Sequence, residues 1–156
     1  MPLLFQKFQA VLKNRTTYRV GLLQTKAYRA LKQSTAIALS QFNISTIDWA
    51  LLGLLYDNKE GLEQSSIASE LGVEKPFVTT RTKDLANKGY VEFEKSKQDT
   101  RVKFTHLTKQ GIKFVDEVEK HLRSESKDML KGVSIKDIAS YLLFLEKIIE
   151  NSKDID

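Results

Sequence analysis

The stretch from Gln64 to Gly89 constrains the fold most, because it holds two short runs of helical periodicity separated by a glycine. Gly72 lies at the break, where a helix end requires a positive φ that glycine adopts without steric cost. The positions that follow the i, i+3, i+4, i+7 spacing of one helix face are Ile67, Ala68 and Leu71 before the break, and Val78, Thr82 and Leu85 after it. The stretch therefore predicts two short helices joined by a tight turn.

The residues after this helix pair favour a winged helix-turn-helix. Residues 90–94 (YVEFE) alternate in strand fashion, and residues 102–107 (VKFTHL) alternate again after the polar link KSKQDTR. In a helix-turn-helix the second helix can enter the major groove of DNA, and the two strands with their basic link form the wing. The alternative is a pair of ordinary amphipathic helices packed on a hairpin, with no ligand.

Residues 39–111 resemble the MarR family of bacterial winged-helix transcriptional regulators. The residues that carry the resemblance are Leu51, Leu52, Ile67, Ala68, Leu71, Gly72, Val73, Val78, Thr79, Leu85, Lys88, Gly89, Tyr90, Val91, Asp99, Thr100, Arg101, Leu107, Thr108 and Gly111. No single residue is specific, but their order and spacing over some seventy positions are. The resemblance implies a homodimer that binds double-stranded DNA.

We expect a mainly α fold with a small β-hairpin wing. Residues 1–38 are predicted to form an N-terminal dimerisation helix, residues 39–107 the DNA-binding winged helix-turn-helix, and residues 108–156 the C-terminal dimerisation helices. Capping boxes predict helix starts at Ser45 and Ser134, and Thr108 is predicted to cap the fifth helix. The positions expected to face inward on the second helix are Ile47, Ala50, Leu51, Leu54 and Leu55. The fifth helix is predicted to run through Ile112, Val115, Val118 and Leu122.

The last helix carries an apolar face that needs a partner. Its members are Ile138, Tyr141, Leu142, Leu145, Ile148 and Ile149. In a monomer this face would be exposed unless the first helix covered it, whereas in a dimer the first, fifth and sixth helices would bury one another across a two-fold axis. The apolar face is therefore consistent with the homodimer that the resemblance implies.

Composition excludes several classes of function. The chain contains no cysteine, so it has no disulfide, thiolate metal site or cysteine-based redox sensor. His106 and His121 lie far apart without clustered carboxylates, so we expect no metal and no cofactor. No phosphate-binding glycine loop, nucleophile elbow or catalytic carboxylate pair is evident, and we expect no enzymatic activity. No apolar run reaches the roughly 18 residues of a membrane span, and without a signal peptide we expect a cytoplasmic protein with no membrane partner.

The net charge of +5 includes a local surplus in the second helix of the pair and in the wing. Such a surplus attracts phosphate. The basic residues concerned are Lys75, Arg81, Lys83, Lys88, Lys95, Lys97, Arg101 and Lys103. The predicted DNA contacts are Lys75, Pro76, Thr79, Thr80 and Lys83 on the outward face of the recognition helix, and Lys95, Lys97, Asp99, Arg101 and Lys103 in the wing.

The recognition-helix residues are predicted to contact phosphates and bases in the major groove, and the wing residues the minor groove. Lys75 and the helix N-terminus meet phosphate, while Thr79 and Thr80 offer a hydroxyl to a base edge and a methyl to thymine. In the wing, Asp99 braces the Arg101 guanidinium towards the minor groove, where a narrow groove concentrates negative potential. The recognition helix departs from the family pattern at Glu74, Thr80, Lys83 and Asp84, and the wing at Thr100, so the base-reading set is this chain's own.

The resemblance also implies an effector site between the dimer helices and the winged core. By position the candidates are Tyr18, Arg19, Tyr28 and Trp49, which would suit a small aromatic or anionic ligand. Aromatic residues at helical spacing are, however, more often part of a core. We expect a regulator, acting as a repressor on a pseudo-palindromic operator and released by such an effector. The alternative is a winged-helix module for protein–protein contact without specific DNA binding.

Overall fold

A computed structural model describes residues 17–95 and 103–153. Within these ranges the chain forms six helices and a three-stranded antiparallel sheet, as the predicted fold class requires. The elements are α1 (Thr17–Ser40), α2 (Thr46–Asp57), β1 (Leu62–Glu63), α3 (Gln64–Leu71), α4 (Lys75–Asn87), β2 (Val91–Lys95), β3 (Lys103–Leu107), α5 (Lys109–Met129) and α6 (Ile135–Ser152). The strand order in the sheet is β1-β3-β2.

The described residues fall into two compact units that divide within α5. The first unit ends at Leu122 and contains the helix-turn-helix and the sheet, and the second begins at Arg123 and contains α6. The predicted division by role, with dimerisation segments on either side of residues 39–107, stays a prediction.

The core of the first unit is formed by residues of α1 to α5 and of β2. Its fully buried apolar side chains are Leu39, Leu51, Leu52, Leu55, Ile67, Val78, Leu85 and Val118. Burying a leucine or isoleucine of this kind stabilises the folded state by roughly 1.5–3 kcal/mol. The prediction was wrong at Ala50, which is exposed. The sequence period does not resolve which side of a helix its neighbours cover at the margin of the apolar face.

The turn between α3 and α4 has the predicted geometry. Gly72 adopts the left-handed conformation at φ 62° and ψ 38°. The Val73 N–H donates to the Ala68 carbonyl at 3.0 Å and the Gly72 N–H to the Ser69 carbonyl at 3.2 Å. These two bonds form a Schellman motif, which satisfies carbonyls that the helix end would leave unpaired. The motif fixes the direction in which the chain enters α4.

The sheet contains one strand more than the sequence predicted. β2 and β3 pair over five residues each, with Val91 opposite Leu107 and Lys95 opposite Lys103. The additional strand, β1, is only two residues long, and Leu62 lies opposite Thr105. Two residues are too few for a period of two to show in the sequence, which explains why alternation does not reveal β1.

Thr108 caps α5 as predicted and ties its start to the end of the helix-turn-helix. The Thr108 hydroxyl accepts from the Gly111 N–H at 2.9 Å and donates to the Gly89 carbonyl at 2.6 Å. A side chain at Gly111 would collide with the Tyr90 carbonyl, so only glycine allows this close approach. The wing therefore begins from a fixed point, held by α5.

In the second unit, α6 begins at the predicted Ser134 cap but buries none of its residues. Its exposed large apolar side chains are Ile135, Tyr141, Leu142, Leu143, Phe144, Ile148 and Ile149. In the first unit, α1 also exposes large apolar side chains, among them Tyr18, Leu22, Leu23, Tyr28 and Leu31. Monomeric proteins rarely expose contiguous apolar surface, so each helix is a candidate interaction surface.

Candidate nucleic-acid interface

The recognition helix α4 has one buried face and one exposed face. Val78, Thr82 and Leu85 have no measurable exposure, which fixes the helix against the core. The predicted contacts Lys75, Pro76, Thr80 and Lys83 are all exposed. Pro76 occupies the first turn, where its missing N–H costs no helical hydrogen bond. Glu74 is the N-cap residue but its side chain forms no capping hydrogen bond, which leaves the start of α4 without a side-chain cap.

The two predicted base-reading threonines lie in different surroundings. Thr80 is exposed, and its hydroxyl donates to the Pro76 carbonyl at 3.2 Å. Thr79 is half-buried, and its hydroxyl lies 2.7 Å from the Gln64 side-chain oxygen. Thr79 is therefore closer to α3 than the sequence prediction placed it.

Gln64 is a residue of this surface that the sequence prediction missed. It opens α3, accepts from Thr79 and donates from Nε2 to the Thr82 hydroxyl at 3.2 Å. Its partners lie 15 and 18 positions further along the chain, so no local pattern signals the contact. The described structure thus joins the first residue of one helix to the middle of the other.

At the wing, Lys95 and Lys103 lie opposite each other at the ends of β2 and β3, and both are exposed. Like charges directly opposite in an antiparallel pair destabilise it. A bound phosphate would relieve this repulsion. The other predicted wing contacts, Lys97, Asp99 and Arg101, lie outside the described residues.

Arg81 was predicted to add to the basic surface, but the structure pairs its charge with carboxylates of the protein. Its guanidinium forms a bidentate pair with Asp48, with Nε donating to Oδ1 at 2.8 Å and Nη2 to Oδ2 at 2.7 Å. The third nitrogen, Nη1, donates to Asp84 at 2.9 Å. The charge of Arg81 is therefore neutralised within the protein by two carboxylates. Planar bidentate pairing of this kind also fixes geometry, so it links α4 to the start of α2.

Asp48 is almost fully buried, at 1% exposure, and serves two elements at once. Its carboxylate accepts from the Ser45 N–H at 2.9 Å while its own N–H donates to the Ser45 hydroxyl oxygen at 3.2 Å, which together form the predicted capping box of α2. The carboxylate also accepts from the Ser45 hydroxyl at 2.7 Å. Burial alone would raise the pKa of Asp48, but the hydrogen bonds from Ser45 and the Arg81 guanidinium outweigh it and lower that pKa below its ordinary value. The carboxylate is consequently charged at neutral pH.

An open polar cleft of about 660 Å³ lies beside this ion pair. It is lined by residues of the α1–α2 connection and of the C-terminal half of α4, including Asn43, Asn87 and Lys88. The Lys88 ammonium donates to the Asn43 carbonyl at 2.6 Å. Lys88 therefore braces the connection as well as adding to the positive surface.

Comparison with known proteins identifies the family. A sequence model of the MarR family matches residues 44–103. The HTH-type transcriptional regulator TcaR from Staphylococcus aureus (strain Newman) is 30% identical over 131 residues, which cover 83% of this chain and 81% of TcaR. The chain belongs to the MarR family. The HTH-type regulator YdgJ from Bacillus subtilis (strain 168) is 28% identical over 106 residues, or 68% of this chain and 64% of YdgJ.

A solved structure adds the function. The MarR-family chain superposes on the S. aureus MepR–DNA complex with a TM-score of 0.70 and 27% identity, over 88% of this chain and 99% of that one. The protein is thus a DNA-binding transcriptional regulator of the MarR family, with the winged helix-turn-helix fold. Its α4 is the second helix of that motif.

None of the four predicted effector residues of this MarR-family chain lines either of two cavities found among the described residues, the one beside Arg81 and one lined by Leu55, Tyr56, Lys59, Leu107 and Ile112. Tyr18 and Tyr28 on α1 are 66% and 62% exposed, and Arg19 is also exposed. Trp49 on α2 is half-buried and packs against the core of the first unit. The effector site stays a prediction.

Two further observations concern the described residues alone. No group of three or more histidine, aspartate or glutamate side chains among residues 17–95 and 103–153 is arranged to hold a metal ion. In the same ranges, no helix combines the length and the apolar character of a membrane span.

Proposed function

We propose that this regulator is a homodimeric repressor that binds a pseudo-palindromic operator in the cytoplasm, without catalysis or a cofactor. The observation that carries the proposal is the division of α4 into a fully buried face and an exposed face with two lysines, two exposed or half-exposed threonines and Pro76. A helix anchored in this way can enter the major groove without leaving the core.

The dimer is supported by the apolar surfaces of α1 and α6. Leu142, Phe144 and Ile149 of α6 are 53%, 52% and 60% exposed in the single chain, although they belong to a strongly apolar helix. A second copy related by a two-fold axis would cover such surfaces with the same surfaces. Because each subunit of a two-fold symmetric dimer contacts its own half-site, the operator would contain two related half-sites.

We place the wing in the minor groove. Lys95 and Lys103 stand at the two ends of the link that carries Asp99 and Arg101. Arg101→Ala should weaken binding across DNA sequences and lower the salt slope by about one, since it removes one cationic contact. Asp99→Ala should be milder, because it frees the guanidinium without removing it.

The salt dependence of duplex binding tests the interface. Lys83→Ala should also lower the slope of log affinity against log salt by about one, because each phosphate contact releases counterions. Lys59→Ala is the matched control, since Lys59 is also exposed but follows α2, outside α4 and the wing. Equal slopes for both variants would remove Lys83 from the interface. An unaltered protein whose binding ignores salt would favour the protein–protein module instead.

Repression is tested by transcription from a promoter that overlaps the selected operator. Added protein should lower the transcript level in proportion to operator occupancy. A rise in transcript at the same occupancy would identify an activator.

Effector release is the remaining part of the proposal. A small aromatic or anionic ligand that binds near Arg19, Tyr28 and Trp49 would weaken DNA binding by favouring a different spacing of the two winged domains, within the limit of its differential affinity for the two states. Titration of candidate ligands against Trp49 fluorescence, with DNA affinity measured in parallel, tests this. A silent response with unchanged DNA affinity would indicate control by abundance.

A further inference from the structure

The contact between Gln64 and Thr79 determines what the recognition helix can offer to a base. The Thr79 hydroxyl has two protein oxygens within hydrogen-bonding distance, Gln64 Oε1 at 2.7 Å and the Lys75 carbonyl at 3.0 Å. The Gln64 amide, in turn, contacts the Thr82 hydroxyl at 3.2 Å. The donors and acceptors of these three side chains limit where each hydroxyl proton can point.

The Thr82 hydroxyl holds the Gln64 amide by a hydrogen bond from Nε2. The Thr82 hydroxyl carries a single proton and lies 2.9 Å from the Val78 carbonyl and 3.2 Å from the Thr79 carbonyl, both of which only accept. In the structure the Thr82 oxygen accepts from the Gln64 NH₂ group, so its own proton goes to one of these carbonyls. With the NH₂ group facing Thr82, the amide oxygen faces Thr79.

The same counting settles the role of Thr79. Its hydroxyl proton points either to the Gln64 oxygen or to the Lys75 carbonyl, and both lie within the protein. Only the lone pairs of the oxygen remain for an outside partner. Since Thr79 is half-buried at the side of the exposed face of α4, those lone pairs are available to the major-groove edge of a base.

We propose that Gln64 is a positioning residue that, together with the Lys75 carbonyl, keeps the Thr79 hydroxyl proton within the protein, so that Thr79 faces DNA as a hydrogen-bond acceptor alone and selects a base with an exposed amino group. In the major groove those groups are N6 of adenine and N4 of cytosine, whereas N7, O6 and O4 are acceptors. The inference rests on the proposed role of α4 in reading the operator. It assigns specificity to a residue of α3 that itself need not touch DNA.

Base analogues test the acceptor role. Fragments bound by the unaltered protein, by Thr79→Val and by Thr79→Ser are selected from a randomised duplex, and the position whose preference Thr79→Val abolishes is identified. Removing the amino group there, with purine for adenine or 2-pyrimidinone for cytosine, should weaken binding of the unaltered protein about five- to tenfold, the worth of one hydrogen bond. Thr79→Val should be insensitive to the same change, and Thr79→Ser should respond as the unaltered protein does.

A change at a fully buried residue tests the positioning role. Thr82→Val keeps the side-chain shape but removes the acceptor that holds the Gln64 amide, and Gln64→Met removes the amide itself. Both should lower the discrimination ratio at the identified base pair about threefold or more, the order expected when one hydrogen bond is redirected. Thr25→Val is the control, because the Thr25 hydroxyl makes the same type of bond, to the Gly21 carbonyl at 2.9 Å, far from α4 in sequence.

The outcomes separate this inference from the proposed function. If replacing adenine N7 with carbon weakens binding while removing the amino group does not, Thr79 donates and the inference is overturned. If Thr82→Val and Gln64→Met lower the melting temperature but leave the discrimination ratio unchanged, Gln64 is structural only. A protein that binds duplex DNA with no base preference at all would instead contradict operator reading by α4, and this inference with it.

Discussion

Two helices of this protein begin with the same capping pattern, but one packs into the core and the other buries no residue. α2 starts at Ser45 and α6 at Ser134, each with an aspartate three positions later. The local geometry is nearly identical. The serine hydroxyl donates to the carboxylate at 2.7 Å in α2 and at 2.6 Å in α6, and the aspartate N–H donates to the serine oxygen at 3.2 Å and 3.1 Å.

The difference is in what each carboxylate meets beyond its own helix. Asp48 is buried at 1% exposure and receives two hydrogen bonds from Arg81, which lies 33 positions away on α4. Asp137 is exposed, and the bonds described for it come from Ser134 alone. Accordingly α2 buries Leu51, Leu52 and Leu55, whereas α6 buries no residue.

The comparison separates the start of a helix from its attachment to a core. A capping box satisfies helix-end N–H groups with two residues three positions apart, so it depends on the local sequence alone. Attachment needs partners from distant parts of the chain. In α2 those partners are in the same chain, and for α6 we propose that they belong to a second copy.

The largest expected effect comes from charging the surface of α6. Leu142→Asp combined with Ile149→Asp should convert a species of twice 17.8 kDa into a monomer in sedimentation at micromolar concentration. Binding to a two-half-site operator should weaken on the order of 100-fold, because the second half-site no longer gains from the effective concentration of the first.

Lys136→Asp is the matched control for this pair, because it introduces the same side chain on the same helix about 160° around from Ile138, taking about 100° per residue. It should leave a dimer. If the double variant also remains a dimer, α6 is not covered by a second copy, and the contrast with α2 would then need another partner.

Asp48→Asn should cause the next largest change. It removes the charge that pairs with Arg81, whose side chain is only 27% exposed, and leaves that guanidinium with Asp84. Breaking a buried pair costs about 3–5 kcal/mol, and partial exposure of Arg81 places the expected loss at about 2–3 kcal/mol. Urea unfolding at fixed protein concentration measures it, since a dimer's stability depends on concentration.

Arg81→Met, combined with Asp48→Asn in a double-mutant cycle, measures how much the two residues stabilise the fold as a pair. If the two residues stabilise the fold as a pair, the double variant should cost less than the sum of the single variants by about 1 kcal/mol or more. Strict additivity would mean that Asp48 acts through the α2 cap alone. In that case the two capping boxes would be equivalent after all.

The pH dependence of stability isolates the same carboxylate. Because the pKa of Asp48 is lowered in the folded protein, its contribution is fully present above the unfolded value of about 3.9 and is lost as pH falls from there through the lower folded value. The difference in unfolding free energy between the unaltered protein and Asp48→Asn should therefore narrow on acidification in that range. A difference that stays constant down to pH 2 would contradict the lowered pKa.

How much the sequence revealed follows the same division between local and distant contacts. The helix starts at Ser45, Thr108 and Ser134 and the turn at Gly72 were predicted, because each depends on residues within a few positions. The pairing of Arg81 with Asp48 and the contact of Gln64 with Thr79 were not predicted. Both contacts join segments that are distant in sequence, which helical periodicity cannot relate to each other. From sequence alone, a basic residue on a recognition helix is equally compatible with a phosphate contact.

The candidate interface shows the same limit in finer detail. The exposed positions Lys75, Pro76, Thr80 and Lys83 follow from the period of α4 once Val78 is taken as buried. Thr79, at the edge of that face, is half-buried because Gln64 of α3 packs beside it. A period places a residue on one side of a helix, but only the neighbouring helix decides how far an edge residue is covered.

Asp137→Asn should have the smallest effect of the series. An asparagine oxygen can still accept from Ser134, and the lost charge near the helix N-terminus is worth about 0.3–1 kcal/mol at an exposed site. Urea unfolding should therefore show a loss of about 0.5 kcal/mol, several times smaller than that of Asp48→Asn. The same Asp-to-Asn change in the same motif is thus measured with and without a distant cation. If the two variants lost equal stability, local capping would carry the whole effect at both helices, and the Arg81 pair would add geometry to α4 without adding stability.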